Sequence, residues 1–350
     1  MSTTPSRHVA SLVDAVPTFE SELGSVAQLA TSNFPILEGM TLKRIVLEAG
    51  AMREPQWNVN SNQIAYVTAG TVLVSMLATG DEFATFVVKT GQMYHVASGA
   101  VYHIENVGEG TAEIIAALRT GDPKHFSLQN SVSVMSDAVL GNTYGLPASD
   151  FSGFPRGAAP QIVQRTGAAV IPESAGLPNA HLFDADGQIA PLAYPYGSAK
   201  LARKQFWAAL EDLSMYALNI GGNGMREPHW HPITAELGYV KSGHARMTVL
   251  DPDGSVDTYE LRPGQAYFVP RAYPHHIEAL GEEGIEFLIF FDQFVPGDVG
   301  YRATATAFSR EVLSAAFQVP ERELPVFPFT PVDPLIVERT NPRDPSPGEA

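Results

Sequence analysis

The sequence predicts an all-β chain of two successive sandwich or barrel domains with short flanking helices. Three observations carry this. From residue 34 the apolar residues alternate in short runs, Thr41–Leu47, Ile64–Val67, Thr71–Leu77 and Thr85–Val88, divided by Gly and Asp/Asn turns. Many short, evenly spaced strands make a sandwich or a closed barrel. The chain also repeats itself: Met52-Arg53-Glu54-Pro55 recurs as Met225-Arg226-Glu227-Pro228, an offset of 173 residues. Finally, 350 residues is the length of two domains.

The offset is constant. It relates Trp57 to Trp230, Tyr66 to Tyr239, Gly70 to Gly243, Gly91-Gln92 to Gly264-Gln265, Tyr94 to Tyr267, Ile104-Glu105 to Ile277-Glu278 and Gly108 to Gly281. No insertion intervenes, so one barrel was built twice. Residues 1–33 read as a polar N-terminal arm with one helical patch within 13–29, either loosely ordered or packed on a neighbouring subunit or domain. Residues 34–145 form the first barrel, with a short helix at 136–140. Residues 146–200, rich in Gly, Pro, Ala and Ser, read as an interdomain linker. Residues 201–320 form the second barrel and its C-terminal helices. Ser309 is placed to cap a helix running to Phe317, and Pro320-Glu-Arg-Glu-Leu324 suggests another turn. Residues 321–350 are a Pro-rich tail, and the end from Arg339 reads as disordered.

The chemistry concentrates in Met225-Arg-Glu-Pro-His-Trp-His231, followed by Glu236 and later by His275. On a strand, alternate side chains share a face, so His229 and His231 aim at one point while Trp230 turns away. Pro232 ends the run, and a turn over 232–235 brings Glu236 back beside the histidines. His275 follows Pro270 and Pro274 at the start of a further strand. Three imidazoles and a carboxylate, without thiolate, suit Mn(II), Fe(II), Ni(II) or Zn(II) and leave open positions on an octahedral ion. The offset carries these residues to Gln56, Asn58, Gln63 and Tyr102, which are poor ligands. One metal per chain is therefore expected, in the second barrel. A weak site using His95 or His103 is the alternative for the first, although His103 matches His276 and should point off the axis.

Gly224-x4-His229-x-His231-x4-Glu236-x6-Gly243 and Gly264-x5-Pro270-x4-His275 resemble the two cupin motifs. With Met225-Arg226-Glu227 and the segment 264–275, the chain resembles the bicupin oxalate decarboxylase and oxalate oxidase-like family over roughly residues 34–320. The resemblance implies two cupin barrels, each a double-stranded β-helix or jelly roll, and a mononuclear ion, Mn(II) first among those named. It also implies a small, anionic substrate, dioxygen as a co-substrate if the reaction is oxidative, and a homo-oligomer, trimer or hexamer. In such relatives the arginine matching Arg226 reaches the substrate carboxylate. By spacing alone Arg226 faces away from the ligand pair unless the backbone bends, and a salt bridge to Glu227 or Glu260 is the other reading.

Oxalate decarboxylases also carry a lid glutamate, in a Ser-Glu-Asn-Ser-like run, that handles the proton replacing CO2. The similar run Phe126–Ser131 has no acid, and the segment 294–299 offers only Asp298, either a substitute acid or the cap of a turn. Oxidation survives that loss better than decarboxylation. The alternatives are a tailoring oxygenase or isomerase acting on a larger metabolite, and a non-catalytic metal-binding bicupin of the storage type. A larger substrate would draw on Tyr216, Tyr239, Met247, Tyr267, Phe268, Tyr273 and Phe290, residues more often found in a barrel core.

Composition bounds the rest. A net charge of −16 and a pI near 5.0 argue against nucleic-acid and anionic-membrane partners, though a local arginine can still hold a small anion. There is no cysteine, so neither a disulfide nor a thiolate site exists. The N-terminus has no apolar signal core, and no apolar run reaches the ~18 residues of a membrane span. A cytoplasmic location follows by default.

Overall fold

The computed structural model describes residues 6–80 and 82–342. The ends of the expected arm and tail, residues 1–5 and 343–350, lie outside them. The chain divides into two compact units. One comprises Leu12–Gly187 and Trp207–Leu213, and the other comprises residues up to Ser11, Gln188–Phe206 and the chain from Ser214 onward.

The first-barrel unit has two antiparallel sheets. The larger runs, in spatial order, Leu182–Asp184, Gln92–Val96, Gln63–Ala69, Ala112–Leu118, Thr41–Leu47, Gly24–Leu29 and Phe19–Ser21. The smaller runs His125–Ser127, Ala51–Asn58, Val101–Asn106, Thr71–Leu77 and Phe83–Lys89, with Ile162–Gln164 also pairing Ala51–Asn58. Alternation selects the inner face: Ile45 and Leu47, Ala65 and Val67, Val72 and Val74, Phe86 and Val88 pack into one buried cluster.

The second-barrel unit repeats the plan. Its larger sheet runs Val9–Ser11, Gln265–Val269, Glu236–Gly243, Ile285–Phe291, Ser214–Ile220, Gly197–Ala202 and Leu192–Tyr194. Its smaller sheet runs Val256–Leu261, Ala245–Leu250, His275–Ala279, Gly224–Trp230 and Val299–Gly300, with Ile336–Glu338 also on Gly224–Trp230.

Three expectations need correction. The segment from 321 is not simply a tail, because Ile336–Glu338 pairs with Gly224–Trp230 and Arg339, where the disordered end was placed, donates to the Ala279 and Gly222 carbonyls. The patch within 13–29 is not helical, since Gly24–Leu29 is a strand paired with Thr41–Leu47, Val26 opposite Ile45. Leu23, Val26 and Ala27 fit a helical period in a short window, but Gly24 decides the matter. It has φ +137, and a Cβ there would lie 2.1 Å from the Val46 carbonyl oxygen. Its counterpart at the same offset is Gly197, where a Cβ would lie 2.3 Å from the Asn219 oxygen. The duplicated unit thus begins before residue 34. The segment 146–200 is not a bare linker either, because it supplies Ile162–Gln164 and Leu182–Asp184 to one unit and Leu192–Tyr194 and Gly197–Ala202 to the other. Strands of three residues are too short to show a period.

Helices flank the sheets. Ser136 caps Asp137–Tyr144, and Ser309 caps Arg310–Phe317, each side-chain oxygen accepting from the backbone three residues on. Ser127 does the same for Leu128–Ser133. Tyr301–Ala307 has no local side-chain cap, and Asp333 accepts from Gly300 and Ala303 instead. The turn after Pro320 is the 3-10 segment Glu321–Glu323. Among the described residues no helix is long and apolar enough to cross a membrane.

One inward position of the first barrel is not apolar. Lys43 lies on the face shared by Ile45 and Leu47 and is 8% exposed. Burial, then the field of Arg53, pushes its ammonium down to about 7. Above the ordinary lysine range both folded and unfolded chains are neutral here, so nothing is lost. As pH falls toward 7 the unfolded chain takes up a proton that the folded chain resists, and stability drops. Lys43→Met should therefore raise the melting temperature at pH 7 and flatten the pH dependence between about pH 7 and pH 10; a lower melting temperature would refute this.

Candidate metal centre

The second barrel's site starts from a strand irregularity. Along Gly224–Trp230 and His275–Ala279, Arg226 pairs with Ile277 and His229 with His275, so three steps on one strand match two on the other. That extra residue is a β-bulge, and it turns Arg226 onto the face of His229. The spacing argument had placed Arg226 opposite. Pro228 is the overlooked signal, since a proline inside a strand belongs at an edge or a bulge.

The structure brings together His229, His231, Glu236 and His275, all buried, with one donor atom from each within 4.8 Å of the others. Among the described residues this is the only group of three or more such side chains placed to hold an ion. The backbone fixes each imidazole. His229 Nδ1 meets the Glu227 carbonyl at 2.8 Å, His231 Nδ1 the Gly297 carbonyl at 2.9 Å, and His275 Nδ1 the Tyr273 carbonyl at 2.9 Å. Each Nδ1 must carry its proton to make that bond, which leaves every Nε2 lone pair for an ion. His231 Nε2 sits 2.7 Å from Glu236 Oε2, and His275 Nε2 is buried 3.4 Å from the same oxygen without a hydrogen bond. Burial keeps His229 neutral, well below the usual histidine range. Burial also works against the Glu236 carboxylate, which His275 and His231 hold well below the usual range only when their Nε2 atoms carry protons, the protons an ion would replace. An orphaned buried nitrogen beside an ionised carboxylate fits a divalent cation.

Glu236 has a partner that the sequence reading did not name. Tyr267 Oη donates to its Oε1 at 2.5 Å. The Tyr267 ring lies so close to Gly238 that a Cβ there would fall 2.0 Å from the ring. Gly238 is thus required by the tyrosine that orients the ligand.

Arg226 and Asp298 also line the cavity. Arg226 Nη2 donates to Asp298 Oδ1 at 2.5 Å, and Nη1 to the Leu335 carbonyl at 3.1 Å. The anticipated partners Glu227 and Glu260 are not used by Arg226; Glu227 accepts from the Arg302 backbone and Glu260 pairs with His244 and Arg262. The cavity measures about 20 Å3 and is walled by Leu218, Ile277, Ile289 and Phe291. Of the aromatics considered for a larger pocket, only Tyr216 lines it. Met247 and Tyr267 belong to the inner core, Tyr273 packs against it, and Tyr239, Phe268 and Phe290 are buried elsewhere.

The offset also corrects the placement of the lid. His125, Phe126 and Ser127 pair with Asn58, Trp57 and Gln56, whereas Val299 and Gly300 pair with Trp230 and His229. Phe126 therefore matches Val299, not Phe294, and Asp298 matches His125. The second-barrel equivalent of Ser127–Ser131 is Gly300–Thr304, the start of a helix, and it contains no acid. In the first barrel Asn58 donates to Gln63 at 3.4 Å and Tyr102 to Gln63 at 3.2 Å, a network of neutral groups. His95 stacks on His181, and His103 lies with Ser75, Glu105 and Arg165 rather than with those groups.

Comparison with known proteins places this geometry. The cupin family pattern matches residues 10–150 and 202–324. The chain is 25% identical over 286 residues to oxalate decarboxylase OxdC of Bacillus subtilis, covering 77% of this chain and 71% of that one. It is 23% identical over 308 residues to a probable oxalate decarboxylase of Arthroderma benhamiae, covering 85% and 75%. A solved Bacillus subtilis oxalate decarboxylase, studied for its Mn(II) centres, superposes with a TM-score of 0.83 at 23% identity, covering 95% of this chain and 88% of that one.

Elemental analysis of purified protein is expected to find close to one metal per chain, and two would contradict the reading of Gln56, Asn58, Gln63 and Tyr102. Tyr267→Phe should weaken metal affinity about 10- to 100-fold, measured by chelator competition, because a carboxylate freed of its donor is no longer oriented.

Proposed function

The chain belongs to the cupin family as a two-barrel member of oxalate decarboxylase-like kind, and from that premise we propose that its second barrel is a mononuclear metal site acting on a small carboxylate of the oxalate class. The observation that carries this is the converging set His229, His231, Glu236 and His275, with every Nδ1 tied to a carbonyl and Nε2 of His275 without a hydrogen bond. Mn(II) is the preferred ion, from the N/O donor set and from the Mn(II) centres of the Bacillus subtilis relative. When bound, it would supply Lewis acidity and one-electron redox chemistry.

The protein's own groups do the rest. Arg226 presents a cationic fork to an entering carboxylate. Asp298 and the Leu335 carbonyl hold that fork in place. The apolar wall of Leu218, Ile277, Ile289 and Phe291 keeps bulk water away from the bound substrate.

Decarboxylation must put a proton on carbon, whereas oxidation need not. It releases both carbons as CO2 while dioxygen takes up two electrons and two protons as peroxide. The carboxylates lining the cavity are Glu236, a metal ligand, and Asp298, an ion-pair partner of Arg226, and neither is a free acid. This supports the oxidase reading over the decarboxylase. Assembly as a trimer or hexamer accompanies the proposal and is read by light scattering.

Oxalate with Mn(II) is expected to yield CO2 and peroxide with uptake of dioxygen; CO2 with formate would assign decarboxylation instead. His229→Ala should abolish turnover with the circular dichroism unchanged, and full activity in that variant would end the enzyme reading. Asp298→Asn should raise KM for oxalate more than it lowers kcat, because it loosens Arg226. A collapse of kcat at unchanged KM would make Asp298 the acid.

A further inference from the structure

The first barrel has lost metal ligands but not positive charge. Lys43, Ala116, Ala65 and Tyr94 are direct cross-strand neighbours and form one row across its larger sheet. The matching row of the second barrel is Tyr216, Ile289, Gly238 and Tyr267. An ammonium thus replaces a phenol, and a methyl group replaces the Ile289 side chain. Glu236 is replaced by Gln63, and Asp298, the carboxylate that neutralises Arg226, is replaced by His125. Two carboxylates are lost and one ammonium is gained.

Among the described residues the balance is only partial: the Glu54 carboxylate lies in the field of Arg53, and no second carboxylate answers Lys43. Arg53 is 3% exposed, and its fork donates to two neutral amides, Gln161 Oε1 and Gln56 Oε1, each at 2.7 Å. Its Nε has no partner. The neighbouring carboxylate, Glu54, is engaged by the Ser127 hydroxyl at 2.5 Å. Among the described residues Lys43 makes no ion pair and no hydrogen bond, and its nearest influence is the charge of Arg53. Tyr94 Oη and Gln63 Nε2 are likewise buried without partners. In the second barrel the equivalent tyrosine spends its proton on Glu236. The Lys43 amine, the Nε–H of Arg53 and two further donors therefore remain without an acceptor in one barrel interior. Leaving such groups unpaired is costly unless something fills their valence.

We propose that the first barrel is a metal-independent binding site for a small carboxylate anion, held by the ammonium of Lys43 and the Nε edge of Arg53, with Tyr94 and Gln63 as further donors. A carboxylate offers acceptor oxygens and one negative charge, and the site lacks only those. The stability that Lys43 forfeits by being buried is then the cost of a binding group. This site is separate from the metal centre and does not depend on the reaction proposed there.

The test is isothermal titration of the full-length protein with sodium acetate, sodium oxalate and inorganic phosphate. Wild type and His229→Ala, which lacks the metal site, should both bind carboxylate. Lys43→Met and Arg53→Gln should each lose about tenfold or more in affinity. Since Lys43→Met is expected to be the more stable protein, its loss cannot be assigned to unfolding, and melting curves check this. Equal carboxylate binding by His229→Ala with and without Lys43→Met, or none by His229→Ala, would overturn the site. Phosphate binding tighter than either carboxylate would overturn the class of ligand.

Discussion

One extra residue in the strand Gly224–Trp230 governs the centre of the second barrel. Without the bulge, Arg226 and His229 would point to opposite sides of the sheet, one to the cavity and one away. With it, the ligand pair and the guanidinium share a face, and Pro228 costs no ladder bond. The first barrel keeps the same irregularity, Ile104 opposite Arg53 and Tyr102 opposite Gln56. The bulge is therefore present with or without the ligand set, and in both barrels it positions an arginine.

The duplication makes each barrel the control for the other. The backbone register is equivalent at each site, so the differences lie in side chains. In one, carboxylates balance an arginine and leave room for a dication; in the other, amides, an imidazole and a lysine stand in their places. Such substitutions change what kind of charge the interior will accept while leaving the sheet pairing intact.

Much of this was legible in the sequence. Period-two runs and a constant offset gave the two barrels; strand alternation paired His229 with His231, a turn over 232–235 added Glu236, and cupin-like spacing added His275. What escaped had local causes. Arg226 was misplaced because a bulge breaks alternation. Asp298 was considered as a lid acid without applying the offset, which assigns it to His125. Gly24–Leu29 satisfied two periods at once, and the three-residue strands between 160 and 195 satisfied none. Tyr267 looked like core until the position of Gly238 tied it to Glu236. Lys43 went unnoticed because a lysine in an alternating strand is ordinarily read as outward-facing.

The close approach of Gly238 to Tyr267 limits what a graft could achieve. In the first barrel that glycine is Ala65, so the methyl group stands where the orienting phenol would have to lie. Placing three histidines at 56, 58 and 102 and a glutamate at 63 would leave their carboxylate without its tether. Such a centre is not portable as four ligands alone; the small residue beside the phenol has to travel with them.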